Sequence, residues 1–268
     1  MSTAPDHQSA PIPILLREDH EGVVTLTLNR PQQFNALSEA MLEALQTQLD
    51  ALAQDEQLRC VILAAAGKAF CAGHDLREMR ATPQLDYYQD LFRRCSKVMQ
   101  SIQNLPVPVI ARVQGIATAA GCQLVGSCDL AVASEEARFA VSGINVGLFC
   151  ATPSVALTRN VSIKRAFEML VTGKFIDAAT AADWGLINRA VPEQELDSAI
   201  AVLSAQIVAR SPTAIRYGKA MVYRQKQMSL GDAYDYAADV MARNIMEHDA
   251  GEGIDAFLEK RAPRWAPK

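Results

Sequence analysis

The chain has 268 residues, half of them hydrophobic and 21% charged, the balance of a globular protein with a full core. Its 26 basic and 30 acidic residues leave a net charge of −4, which argues against nucleic acid as a partner. No run approaches the roughly 20 unbroken apolar residues of a membrane span, so the expectation is a soluble protein with no membrane partner.

Residues 1–13 are rich in Ser, Ala, Pro and Gln, carry Asp6 but no Lys or Arg, and read as a disordered lead-in. They match neither a basic secretory leader nor an Arg-rich transit peptide, which sets the expected location as cytoplasmic. Residues 14–17 and 23–28 are β-rich runs separated by Asp19-His20-Glu21-Gly22, a hairpin pattern. After Ser38, a candidate N-cap, the spacing of Met41, Leu42, Leu45, Leu49 and Leu52 predicts an amphipathic helix. Residues 60–65 then form a short apolar run of the buried-strand type, so strand, helix and strand predict a crossover unit.

Leu85, Tyr88, Leu91, Phe92, Cys95, Val98, Met99, Ile102 and Leu105 mark one face of a long helix, ended by Pro106 and Pro108. Residues 108–113 are the next strand. A small-residue stretch from Gly115 to Gly121 leads into another apolar helix, and residues 129–133 form a further strand. From Pro192 onward the strands stop. Leu196, Ile200, Leu203 and Ile207 mark one helix, and Ser211-Pro212, Gly231 and Gly251 punctuate three more, with no linker before them.

The six cysteines, at 60, 71, 95, 122, 128 and 150, form no C-x-x-C pair and no zinc-spaced cluster, so they read as reduced, buried small hydrophobes and no metal is expected. Phosphate loops, dinucleotide fingerprints, the H-E-x-x-H helix and the nucleophile elbow are all missing. Of the four histidines, His7 lies in the lead-in, His20 in a turn and His248 in a polar helix. Only His74 sits among glycine and apolar neighbours, and one histidine makes neither a triad nor a metal site.

Two segments are built for backbone chemistry. In residues 67–76 and again in 115–124 a strand exits through small residues into a helix, leaving unsatisfied N–H groups where a ligand oxygen can reach them. Two such donors converging on one point make an oxyanion hole, which stabilises the enolate-like charge of a reacting thioester.

These segments and their surroundings resemble the crotonase superfamily, the enoyl-CoA hydratase/isomerase fold, along nearly the whole chain. The resemblance is carried by Leu28-Asn29-Arg30-Pro31 with Asn35-Ala36-Leu37, by residues 69–76, by residues 106–111, and by Gly121-Cys122-Gln123-Leu124 with Cys128-Asp129. Val171-Thr172-Gly173, the segment from Ala178 to Leu186 and Phe257-Leu258-Glu259-Lys260-Arg261 continue it. Within the superfamily the chain is most similar to the subgroup called enoyl-CoA hydratase domain-containing protein 3. The resemblance implies an α/β spiral of ββα units over residues 14–192, a helical oligomerisation region over 193–268, and a homotrimer or a dimer of trimers.

It also implies a small-molecule acyl-CoA partner, with coenzyme A as part of the substrate and no other cofactor. The oxyanion hole falls on the amides of His74 and Ala120, the latter a position usually occupied by glycine. Arg30, Ala36, Ala72, His74, Asp75, Leu76, Arg77, Ala120, Lys260 and Arg261 match the family's CoA-binding positions. The two glutamates with which family hydratases handle water fall on Gln123 and Gly143. Neither of these takes a proton, and the stretch after Gly143 offers no carboxylate, so ordinary hydration is not expected. The protic side chains left near the pocket are Cys150, Asn145, Thr152, Gln123 and the His74 ring, of which Cys150 and His74 alone ionise in a useful range. Two functions are implied: a lyase- or isomerase-like enzyme with an unusual proton-handling group, or a non-catalytic acyl-CoA-binding protein.

Overall fold

The structure, a computed structural model, describes residues 13–266; the proposed lead-in, with His7, lies outside them except for Pro13. Strand β1 (Leu15–His20) turns through Glu21 and Gly22 into antiparallel β2 (Val23–Leu28). The two turn residues have φ of 48° and 79°, the left-handed pair that a two-residue hairpin turn requires. Helix α1 (Glu39–Leu52) begins at Ser38, whose hydroxyl accepts the Met41 N–H at 3.2 Å. Strand β3 (Cys60–Ala65) returns parallel to β2, completing the expected crossover.

The chain continues through β4 (Ala69–Cys71), α2 (Leu76–Ala81) and α3 (Leu85–Asn104). Next come β5 (Val109–Val113), β6 (Ile116–Thr118), α4 (Ala120–Ser127), β7 (Leu130–Ser134) and β8 (Arg138–Ala140). Helices α5 (Ala151–Asn160) and α6 (Ile163–Thr172), strand β9 (Ile176–Asp177), helix α7 (Ala178–Asp183) and strand β10 (Arg189–Val191) complete this part. The strands form a six-stranded sheet ordered β1-β2-β3-β5-β7-β10 and a four-stranded sheet ordered β4-β6-β8-β9. Each circuit gives one strand to the first sheet and the next to the second, β3 then β4, β5 then β6, β7 then β8. The α/β spiral is therefore the observed fold.

All of β3 is buried, as a strand covered on both faces must be. Cys60, Ile62 and Ala64 pack with Leu196 and Ile200, while Val61, Leu63 and Ala65 join the main core with Leu45 and Val98. Leu196 and Ile200 belong to α8 (Leu196–Val208), which is followed by α9 (Pro212–Gln225), α10 (Leu230–Ile245) and α11 (His248–Leu258). The four C-terminal helices match the expected number, but Gly231 and Gly251 lie inside α10 and α11 instead of between helices. The breaks fall at the N-caps Ser229 and Glu247; at the first, the Ser229 hydroxyl accepting the Asp232 N–H starts the helix two residues before the glycine, which the helix interior then tolerates.

Lys219 on α9 ties this region to the core. Its ammonium donates to the Ile102 and Val107 carbonyls at 3.0 and 2.8 Å and to Asp129 at 2.6 Å. Burial pulls its pKa below the ordinary lysine value against the opposing pull of Asp129. All six cysteines are free and buried. Among the described residues no single helix is long and apolar enough to cross a membrane.

Candidate active site

Strand β4 lies at the edge of its sheet, and its neighbours set the course of the chain at its exit. On one side it pairs with β6, with Cys71 opposite Ala117. On the other, the loop after β2 zips against that exit: the Ala72 N–H donates to Phe34, Leu37 N–H to Gly73, and Asp75 N–H to Leu37. That parallel register centres on Leu37 and His74, so the His74 N–H is turned away from Leu37, toward the β6 side. It has no acceptor among the described residues.

The loop is held in turn by Asn35, fully buried and left-handed with φ 53°. Its amide donates to the Ala66 and Ala69 carbonyls at 2.8 Å each, and its oxygen accepts the Arg30 N–H at 2.8 Å. Every polar atom of a group that would otherwise be costly to bury is thus used. Arg30 reaches from the same loop to the Ala36 carbonyl at 3.2 Å and Asp75 at 3.4 Å. Asp75 caps α2 by accepting the Arg77 N–H at 3.1 Å.

Beside this exit, β6 runs into α4. Ala119 accepts φ 50° and ψ −120°, a conformation costly for a residue with a Cβ. That turn presents Ala120 as the first residue of α4, with an N–H that has no helical acceptor and no other partner among the described residues. Ala120 itself keeps a negative φ, the condition under which alanine replaces the family's glycine without loss of the amide. A Cβ on Gly73 would lie 3.3 Å from the Ala120 nitrogen and 2.9 Å from the Ala119 Cβ. One on Gly121 would collide with the Cys71 carbonyl. The two small-residue segments are therefore in backbone contact.

They open on a cavity of about 760 Å³. Arg30, Ala36, Ala72, His74, Asp75, Leu76, Arg77, Ala120, Gly143 and Cys150 all line it, so most residues expected at the site are brought together. Lys260 and Arg261 are not among its lining. Arg261 is bound instead by Glu252 at 2.7 Å and Glu259 at 2.6 Å, a pairing that satisfies the guanidinium locally. Gln123, 5% exposed with its side-chain oxygen buried and unpartnered, also lies outside the lining. Asn145 is likewise outside it and points its amide at Gly173.

Several lining residues escaped the sequence reading: Phe34, Glu78, Met79, Phe92, Ser142, Val146, Leu148 and Phe149. Phe92 shared the helical stripe of α3 and so read as core. Ser142 sits in a short turn with no periodicity, and its hydroxyl meets that of Thr118 at 2.7 Å. The two groups expected to ionise are held neutral. Burial lowers His74 to about 4; the Leu37 carbonyl opposes this slightly but is out of hydrogen-bond geometry with either ring nitrogen. Burial raises the Cys150 thiol, whose sulfur accepts the Gly143 N–H at 3.3 Å. At position 143 a Cβ would stand 2.5 Å from the Leu148 carbonyl and 2.8 Å from that sulfur. The folded-back chain already occupies the space of a side chain there.

Fold, cavity and paired amide-bearing segments together define a crotonase-type protein, and the chain belongs to the enoyl-CoA hydratase/isomerase family, whose model matches residues 18–268. It is 46% identical to the Xenopus laevis protein named enoyl-CoA hydratase domain-containing protein 3, mitochondrial, over 96% of this chain and 87% of that one. The human protein of the same name is 45% identical over 97% and 85%. Among solved structures, a Mycobacterium smegmatis enoyl-CoA hydratase superimposes with a TM-score of 0.94 at 61% identity, covering 95% of this chain and 99% of that one. Human enoyl-CoA hydratase domain-containing protein 3 gives 0.92 at 45%, covering 94% and 100%. The mitochondrial designation of these relatives overturns the cytoplasmic location expected from residues 1–13. An unlike composition in one short N-terminal segment excludes no organelle.

Proposed function

We propose that the chain binds an acyl-coenzyme A thioester in this cavity and stabilises an enolate with the amides of His74 and Ala120. The observation that carries the reading is the pair of N–H groups, without acceptors among the described residues, on two touching segments that line one cavity. Each such donor contributes about 3 kcal/mol to a developing oxyanion. The wall holding Arg30, Ala36, Ala72, Asp75, Leu76 and Arg77 supplies the cations and backbone groups suited to the nucleotide end of coenzyme A, and the thioester needs no further cofactor. Ordinary hydration is disfavoured, because Gln123 lies off the cavity and position 143 has no room for a carboxylate.

The same lack of carboxylates supports a second reading, a binding protein without turnover. The exposed apolar side chains of the last two helices, among them Tyr234 (71%), Met241 (74%) and Phe257 (82%), support self-association as a homotrimer or a dimer of trimers.

The test is calorimetric titration with butyryl-CoA, alongside a crotonyl-CoA hydration assay. Wild-type protein should bind the thioester. Ala120→Pro removes one N–H at the first helical position and should weaken binding about tenfold, with the melting temperature measured alongside to separate the cost of a proline ring after the left-handed Ala119. Absence of binding by folded wild-type protein sinks the proposal.

A further inference from the structure

We propose that the enolate at this site forms by loss of carbon dioxide from an acyl-CoA bearing a carboxylate on its α-carbon, a malonyl-type thioester. The inference rests on the acyl-CoA reading above and names the substrate class of that same cavity. A thioester enolate arises by removal of an α-proton, by addition of water to an enoyl group, or by cleavage of a bond at the α-carbon. The first two routes require a group that takes a proton near neutral pH. The third requires only a place for the negative charge to go.

Among the described residues no carboxylate at this cavity is free to take a proton, and the His74 ring, whose nitrogens have no partner, is a weak base that burial holds at a pKa of about 4. The cavity's two carboxylates, Asp75 and Glu78, stand on the same wall and are both engaged. Asp75 accepts from Arg77 and Arg30 at 3.1 and 3.4 Å. Glu78 accepts the Glu39 N–H at the start of α1 at 2.9 Å. The opposite wall, residues 142–153, contains no Asp, Glu, His, Lys or Arg at all. Nor is it one substitution away from a hydratase, because the Leu148 carbonyl and Cys150 sulfur crowd position 143.

What that wall offers is a neutral, largely apolar surface of Val146, Leu148, Phe149 and Pro153, with the hydroxyls of Ser142 and Thr152. A substrate carboxylate laid against it loses hydration and finds no countercharge, while departure as neutral carbon dioxide relieves that penalty. The paired amides receive the charge on the carbonyl oxygen.

The step balances with water alone. The bond between the α-carbon and the carboxylate carbon breaks, and its electron pair enters the enolate as carbon dioxide leaves. The α-carbon then takes a proton from water, and the hydroxide combines with carbon dioxide to give bicarbonate. Nothing is oxidised or reduced outside the substrate.

The experiment incubates the full chain with malonyl-CoA and with methylmalonyl-CoA and measures the decarboxylated acyl-CoA chromatographically. In heavy water the expected product carries one deuterium at the α-carbon. Ala120→Pro should lower turnover at least about 100-fold. Val146→Lys sets a cation against the carboxylate, so KM should fall and kcat should fall at least about tenfold, a split that mere damage to the fold does not produce. Val146→Leu should restore both toward wild type.

Binding of butyryl-CoA without decarboxylation of either substrate would overturn this proposal and leave the acyl-CoA site standing. Failure to bind any CoA thioester would remove both. Rapid hydration of crotonyl-CoA by the wild type would overturn the proposal by exposing a working base.

Discussion

The wall formed by residues 72–79 and the wall formed by residues 142–153 face one cavity and are made differently. The first is stitched into the fold: Ala72, Gly73 and Asp75 bond to the loop around Leu37, Asn35 locks that loop, and Arg30, Asp75, Arg77 and Glu78 give it charge. The second is a short helical turn, Ser142–Val146, closed by the Leu148 N–H on Gly143. It leaves Val146, Leu148 and Phe149 67%, 44% and 43% exposed. Precision in placing backbone donors comes from the first wall, and electrical neutrality on the facing side of the cavity comes from the second. The family relation alone predicts the first and not the second, since the glutamates that would charge the neighbourhood of the second wall are the residues this chain lacks.

The sharpest way to break the comparison is to press one methyl group on the strand end that carries the first wall and one into the second wall itself. Gly121→Ala drives a Cβ into the Cys71 carbonyl, backbone against backbone in a sheet-to-helix junction, and should cost at least about 4 kcal/mol. Gly143→Ala meets the Leu148 carbonyl at 2.5 Å, but in a loop end that can shift, and should cost about 2 kcal/mol. Urea unfolding measures both. Equal losses would show that the second wall is as rigid as the first and end the distinction.

The next effect tests the neutrality of the site. His74 titrates at about 4 in the fold against 6.5 as a free group. Between those values the unfolded chain holds a proton that the folded chain does not, so stability is complete above pH 6.5 and falls as pH drops toward 4. The separation corresponds to about 3 kcal/mol. His74→Leu keeps the backbone amide and removes two unpartnered buried nitrogens. Its unfolding free energy should lose this dependence between pH 6.5 and 4. An unchanged acid limb in the variant would mean that His74 is not the titrating group and that the cavity floor is wetter than its geometry implies.

Much of the stitched wall was legible in the sequence because its causes are local. Ser38 is an N-cap with an oxygen at the right spacing, the turn at Gly22 adopts positive φ, β3 is an unbroken apolar run, and residues 67–76 pass from strand through small residues into a helix. The four-stranded sheet was not legible, since its strands are two or three residues long and too short to develop a period. The cavity's second wall was read only as lacking acids. That Cys150 and His74 are held neutral depends on burial from elements far apart in sequence, α3 and α5 among them, and no window along the chain contains it. Lys260 and Arg261 lie off the cavity lining, and for Arg261 the cause is again a contact outside its own segment, its guanidinium donating to Glu252 on the preceding helix.

The smallest effect bears on the seam between the walls. Ala119 carries φ 50° and ψ −120°, where the methyl group crowds the neighbouring peptide and glycine would be at ease. The conformation persists because Ala119 N–H is bonded to the Ala140 carbonyl at 3.0 Å on one side and Gln123 N–H to the Ala119 carbonyl at 3.1 Å on the other. It aims the Ala120 N–H outward from the start of α4. Ala119→Gly removes the crowding but adds backbone freedom to the unfolded chain, so the net gain should be about 1 kcal/mol in urea unfolding. Replacement by valine, branched at the same carbon, should reverse the sign. If glycine destabilises as well, the torsion at Ala119 is unstrained in this fold, and the amide of Ala120 is aimed by the packing of Gly121 on Cys71 alone.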